Sequence, residues 1–158
     1  MNRIKDENEV FDSIIQGLPC GLIIIDNDCR VMKINRAAKR FIPVNFKHLQ
    51  NDVVWNYIEN EEIADFIKQC GEKKLANQNK EFSIAESDGK IRFVVISVLP
   101  LLRNSEIEGN IIYIEDVTAK RQQEILMHRM KSLKSLTSLA ASVAHEIRNP
   151  LTVVKGFI

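Results

Sequence analysis

Residues 21–42 read GLIIIDNDCRVMKINRAAKRFI, and this stretch decides the fold. Gly21 to Asp26 and Cys29 to Asn35 are two runs rich in β-branched and apolar residues, joined by Asn27 and Asp28, which tolerate tight turns. The pattern predicts a β-hairpin. Arg36 to Ile42 then turns helical. Upstream, Val10, Phe11, Ile14, Ile15 and Leu18 fall at helical spacing and predict a short amphipathic helix over 8–18, ended by Pro19. Downstream, Ile58, Ile63, Phe66, Ile67 and Leu75 predict two or three short helices within 45–78. Strand signals return at Lys80 to Ala85, Lys90 to Leu102 and Asn110 to Val117, with turns at Ser87-Asp88-Gly89 and over Asn104 to Gly109. Two strands, several short helices and three further antiparallel strands make an α+β domain with a single five-stranded sheet.

The totals bound what such a domain can do. At 158 residues the chain holds one ordinary domain plus an appended element. Its net charge is +1, from 22 basic and 21 acidic residues, so no nucleic-acid partner is advertised. Cys20, Cys29 and Cys70 are odd in number and lack metal-ligand spacing, which argues for a reducing compartment and against a structural metal. The longest apolar runs, Gly21 to Ile25 and Phe93 to Leu102, fall short of the roughly 20 residues of a spanning helix. The N-terminus MNRIKDENEV is unlike a signal peptide. A soluble, cytoplasmic protein without a membrane span is the expectation.

Residues 19–118 resemble a PAS sensor domain. The resemblance rests on the acidic turn Asp26-Asn27-Asp28, on Asn35 followed by Arg36-Ala37-Ala38, on Asp88-Gly89 in the later hairpin, and on Asp116-Val117-Thr118 closing the last strand. Cys29 departs from the glycine, and Arg36 from the proline, common at those places in the family. In FVVISVL and NIIYI both alternating sets are largely apolar, so both sheet faces should be covered. The short helices would cover one. The N-terminal helix, a second subunit, or both would cover the other, with Phe11 and Ile15 at a dimer contact. The resemblance allows haem or flavin, but Cys29 lies in a strand signal rather than in the helical motif of flavin-reactive domains, and His48 lacks a supporting pattern. A small-molecule ligand or an empty pocket is the expectation for this domain, with no cofactor supported.

From Ala119 the composition changes to AKRQQEILMHRMKSLKSLTSLAAS, free of Gly and Pro as far as Asn149, which predicts a continuous helix of about 30 residues. Leu126, Met130, Leu133, Leu136, Ala140, Val143 and Ile147 form a coiled-coil seam with an additional three-residue step between Leu133 and Leu136, a discontinuity that overwinds a coiled coil locally. His145 points away from that seam, Asn149 lies four residues on along the same face, and Glu146 flanks the ring. Pro150 removes a backbone donor and should kink the helix just past the site. A zinc-protease reading fails because Asn149 stands where the second histidine is required. His128 and His48 have no such context.

The block HEIRNPL, with its lead-in AASVA and the following TVVKGF, resembles the phosphoacceptor box of sensor histidine kinases, and its wording is similar to that of PAS-containing kinases feeding the sporulation phosphorelay of endospore-forming bacteria. The resemblance implies that His145 is the phosphoacceptor, that Glu146 acts as base and fixes the imidazole tautomer, and that Asn149 positions water or substrate in dephosphorylation. It implies three parts: an N-terminal helix over 1–18, a PAS domain over 19–118, and a signalling helix running into a truncated first helix of the dimerisation and phosphotransfer domain over 119–158. ATP and Mg²⁺ would be bound by a catalytic domain of the parent kinase, because no glycine-rich nucleotide segment is present here, and alone the chain should not autophosphorylate. The implied partners are a second copy in a homodimer, that catalytic domain, and the receiver domain of a response regulator. The alternative is a non-catalytic PAS dimerisation or small-ligand module with a helical tail.

Overall fold

A computed structural model describes residues 2–42, 52–75 and 77–156, with side chains described from residue 5 to residue 148 of these. Its elements are α1 (Asn2–Gly17), β1 (Gly21–Asp26), β2 (Val31–Ile34), α2 (Arg36–Phe41), a 3₁₀ turn (Val54–Tyr57), α3 (Glu61–Glu72), β3 (Gln78–Ala85), β4 (Ile91–Arg103), β5 (Glu106–Asp116) and α4 (Thr118–Gly156). The chain divides into two compact units, Met1–Thr118 and Ala119–Ile158. The first holds one antiparallel sheet in the order β2-β1-β5-β4-β3, so the first hairpin packs beside the last strand and the middle of the sheet joins the two ends of the domain sequence.

The hairpin closes on side-chain chemistry. Asp26 Oδ1 accepts the amides of Asp28 and Arg30 at 2.9 Å each. Cys29, expected in a strand, instead sits in the turn at φ +61, and pairing resumes only at Val31. A left-handed residue cannot continue the extended ladder, which is why β2 starts two residues later than the apolar run. The left-handed geometry also accounts for the glycine expected there.

Cys29 is buried against α3. A Cβ built on Gly71 would lie 2.6 Å from Cys29 Sγ, so the two positions can carry one side chain between them. Burial pushes the Cys29 thiol up, with Asp26, Asp28 and Glu72 adding to the effect, and burial alone raises Cys70. Both stay protonated thiols near neutrality.

Asn35 is the polar centre of the unit and is fully buried. Its Oδ1 accepts the amides of Leu22 and Ala38 at 2.8 and 2.9 Å, and its Nδ2 donates to the carbonyls of Cys20 and Ile15 at 2.8 and 3.1 Å. Its backbone amide donates to Leu22 at 2.9 Å. One side chain thus caps α2, closes the end of the hairpin and holds the last turn of α1. Gln16 adds two bonds at the same corner, donating to Ile34 O and accepting from Arg36 N.

The inner face of the sheet is sealed. Ile23, Ile25, Phe82, Ile84, Val94, Ile96, Val98, Ile112 and Ile114 alternate inward and pack against Ile63, Ile67, Val54 and Ala38 from the helical elements. The outer face is apolar but only half-buried: Leu22, Ile24, Phe93, Val95, Ile111 and Tyr113. The expectation that both faces are covered is therefore met on one face alone within a single chain. Ile15, expected at a dimer contact, is instead a core residue at 5% exposure, whereas Phe11 of the same helix remains 51% exposed beside Lys33. The cause is the Asn35 bond to Ile15 O, which draws the end of α1 into the corner.

The second turn differs from expectation too. The β4–β5 ladder runs on to Arg103↔Glu106, and the chain reverses over Asn104 and Ser105, both at positive φ. Such a two-residue turn matches the strand twist. Residues 43–51, part of the segment expected to hold short helices, lie outside the described residues.

Two outcomes follow from this packing. Asn35→Ala removes four hydrogen bonds at this corner and should lower the unfolding free energy in urea by about 3 kcal/mol or more; a loss below about 1 kcal/mol would show that the corner stands without it. Gly71→Ala should destabilise by about 1–3 kcal/mol through the clash with Cys29 Sγ, but in a Cys29→Ala background it should become neutral or stabilising, because alanine is the better helix former. A double-mutant cycle by chemical denaturation that gives no coupling would refute the contact.

Candidate functional site

The helix that carries the histidine block begins on the sheet. Asp116 Oδ1 accepts the amide of Thr118 at 2.9 Å, the first donor of α4. The Thr118 hydroxyl accepts the amide of Phe93 at 2.9 Å and lies 3.4 Å from its carbonyl, and the amide of Val117 donates to that same carbonyl at 2.9 Å. Asp116-Val117-Thr118 is therefore a clip between β5, β4 and the first turn of α4.

α4 spans 39 residues, longer than the expected 30, and is on the order of 58 Å at 1.5 Å per residue. It holds no Gly or Pro before Pro150, and the helix continues through Pro150 to Gly156. Leu126, Met130, Leu133, Leu136, Val143 and Ile147 are all exposed, in a stripe along one side. Thr137 Oγ1 donates to Leu133 O at 2.9 Å, at the extra three-residue step. A hydroxyl sharing a helix carbonyl loosens the local ladder slightly.

His145 is exposed, and Glu146 next to it is exposed as well. At about 100° per residue, His145 lies roughly 160–200° from Val143 and Ile147, opposite the apolar stripe. Ala141, Ala144, Ile147 and Arg148 bound the shallow surface around the ring. The small alanines leave the imidazole accessible to a large co-reactant. The backbone of Asn149 continues the helix one turn on, which puts it on the His145 face; its side chain lies outside the described residues. His128 is exposed with no histidine, cysteine or acid cluster around it, and His48 lies outside the described residues. Among the described residues no group of three His, Cys, Asp or Glu side chains could hold a metal ion, and no helix is long and apolar enough to cross a membrane.

Sequence reasoning missed one residue of this region. Arg92 occupies an inward position of β4, in step with Val94, Ile96 and Val98, where a charge is out of place. That break in the apolar alternation was the available signal. The guanidinium pairs with Glu86, approaches Asp116 Oδ2 at 3.9 Å and donates to Arg40 O at 2.7 Å.

This arrangement of sheet, short helices and exit helix agrees with comparisons to known proteins. The family pattern described as PAS fold matches residues 15–122. The chain belongs to the PAS family. The PAS domain of BvgS from Bordetella pertussis superposes with a TM-score of 0.57 at 18% identity, covering 80% of this chain and 98% of that one. Among curated relatives, sporulation kinase E of Bacillus subtilis (strain 168) is 26% identical over 161 residues, covering 98% of this PAS chain and 21% of the kinase. The signal transduction histidine-protein kinase AtoS of Escherichia coli (strain K12) is 25% identical, covering 98% of this chain and 26% of its own length. The chain thus spans about a fifth to a quarter of these relatives. Their alignments run over nearly all of it, the PAS unit and the histidine helix together.

Proposed function

We propose that the chain is the sensory and phosphoacceptor portion of a sensor histidine kinase, in which the PAS unit controls phosphorylation of His145. The observation that carries this reading is an exposed histidine within HEIRNPL, on a helix that starts on the PAS sheet and presents an exposed apolar stripe on the opposite side. Relatives named as histidine kinases that align over 98% of the chain support it.

In this reading the stripe pairs with that of a second copy, so that each His145 faces outward from a two-chain rod. One neutral ring nitrogen attacks the γ-phosphorus of ATP held by a catalytic domain of the parent; an N–P bond forms, the bond to the bridging oxygen breaks, and ADP leaves. Glu146 accepts a hydrogen bond from the other ring nitrogen and fixes the tautomer. The phosphoryl group then passes to an aspartate of a receiver domain, and Asn149 orients water when it is removed. Mg²⁺ belongs with the nucleotide and neutralises its phosphates. The site is suited to a cytoplasmic phosphorelay with a response regulator as partner.

Two experiments test the reading in the full-length parent. His145→Gln should abolish acid-labile ³²P labelling from ATP while leaving the circular dichroism spectrum unchanged; labelling that persists would remove the assignment. Inserting one residue at Ser135 rotates everything beyond it by about 100°, whereas seven residues restore the heptad phase. The single insertion should alter or invert the response of autophosphorylation to signal and the seven-residue insertion should preserve it; identical responses would make the helix a passive spacer.

A further inference from the structure

Where β3 turns into β4, the inner face of the sheet stops being apolar. Arg92 pairs in register with Ile84, and its guanidinium is held between Glu86 on the turn and Asp116 at the end of β5. It donates to Arg40 O and lies 5.9 Å from the centre of the Phe41 ring. Its side chain is only 27% exposed. A cleft of about 460 Å³ opens between this arginine, the last turn of α2 and the β3–β4 turn. That volume falls in the range of small-molecule sites, and the lining combines an aromatic ring with convergent charges.

The charges point to the ligand. Three cations line the cleft, Lys39, Arg40 and Arg92, with two carboxylates, Glu86 and Asp88. Asp88 is already committed to Lys90, whose amide donates to it at 3.0 Å and whose ammonium lies 3.2 Å away; these bonds hold its carboxyl below the usual range. Glu86 is partly exposed on a turn, and a partly exposed ion pair exchanges one carboxylate for another at little net cost. A guanidinium fork is built for a planar carboxylate.

We propose that this cleft binds a small organic dicarboxylate, one carboxylate taking the place of Glu86 in the Arg92 fork and the other lying beside the cationic last turn of α2. Asp116, the second acid at Arg92, also holds the first amide of α4. If the chain is a kinase sensor as proposed above, an occupant that re-partners Arg92 acts on the start of that helix. Binding is measured without any kinase activity, so the two readings fail separately.

Succinate, acetate and inorganic phosphate serve as probes, titrated into the full chain by calorimetry and followed by NMR at the Arg92 side-chain Nε–H. Succinate should bind saturably at one site per chain and more tightly than acetate. Glu86→Gln, which removes the competing carboxylate, should bind succinate about fivefold more tightly. Arg92→Lys keeps the charge and loses the fork, and should weaken binding at least about tenfold. Arg40→Gln, on the exposed side of α2, should weaken succinate and leave acetate unchanged. The proposal is overturned by no saturable succinate binding in either wild type or Glu86→Gln, by equal affinity in Arg92→Lys, or by phosphate binding as tightly as succinate.

Discussion

Four hydrogen bonds from one buried amide organise this molecule. Asn35 has two donors and two acceptor positions, and the chain supplies a partner to each: two carbonyls from the segment before β1, one amide from β1 and one from α2. A side chain of this polarity would be costly inside the protein if any partner were missing. The same residue ends β2, starts α2 and anchors α1, so three elements share one dependency. An aspartate there would present acceptors to two carbonyls, and an apolar residue would remove all four bonds, with only Ile15 O keeping another donor, the amide of Leu18. The corner tolerates asparagine because it alone among the acids and amides of that size both donates and accepts.

From that corner the sheet divides the domain unequally. Its inner face is closed by branched aliphatics against α3 and the 3₁₀ turn, and the closure is tight enough that Gly71 and Cys29 leave no room for a second side chain. Its outer face remains half-open. The charged row formed by Glu86, Arg92 and Asp116 marks where the sealed core ends, and the hydroxyl of Thr118 marks where the sheet hands over to α4. The charges of this rim are partly exposed, whereas the aliphatic core beside them is buried.

The elements were largely legible because the period-2 and period-3.6 signals were strong where burial is complete. GLIIID, FVVISVL and NIIYI became strands, the order of strands and helices gave the α+β sheet, and the Gly-free run after Ala119 became one helix. What escaped was set by contacts distant in sequence. Cys29 left the strand because its backbone is left-handed and its sulfur fills the gap above Gly71, 42 positions away. Ile15 read like its neighbours Phe11 and Ile14 but was drawn inward by a bond to Asn35. The β4–β5 turn shortened to Asn104-Ser105 because the ladder could still gain pairs. His145 was legible as an outward residue from spacing alone, since it stands half a turn from an apolar stripe; Arg92 was not, since its meaning lies in which strand positions face the core.

The Thr118 clip has a practical corollary for anyone joining this PAS unit to a different C-terminal helix. Its hydroxyl supplies the acceptor for the amide of Phe93 near the start of β4, so the domain does not finish where its last strand does. A chimera spliced after Asp116 would graft a foreign residue into a socket shaped for a β-hydroxyl, and the receiving helix would start from an unfastened stem. Splice points belong beyond the first turn of the helix, with the threonine kept on the PAS side of the junction.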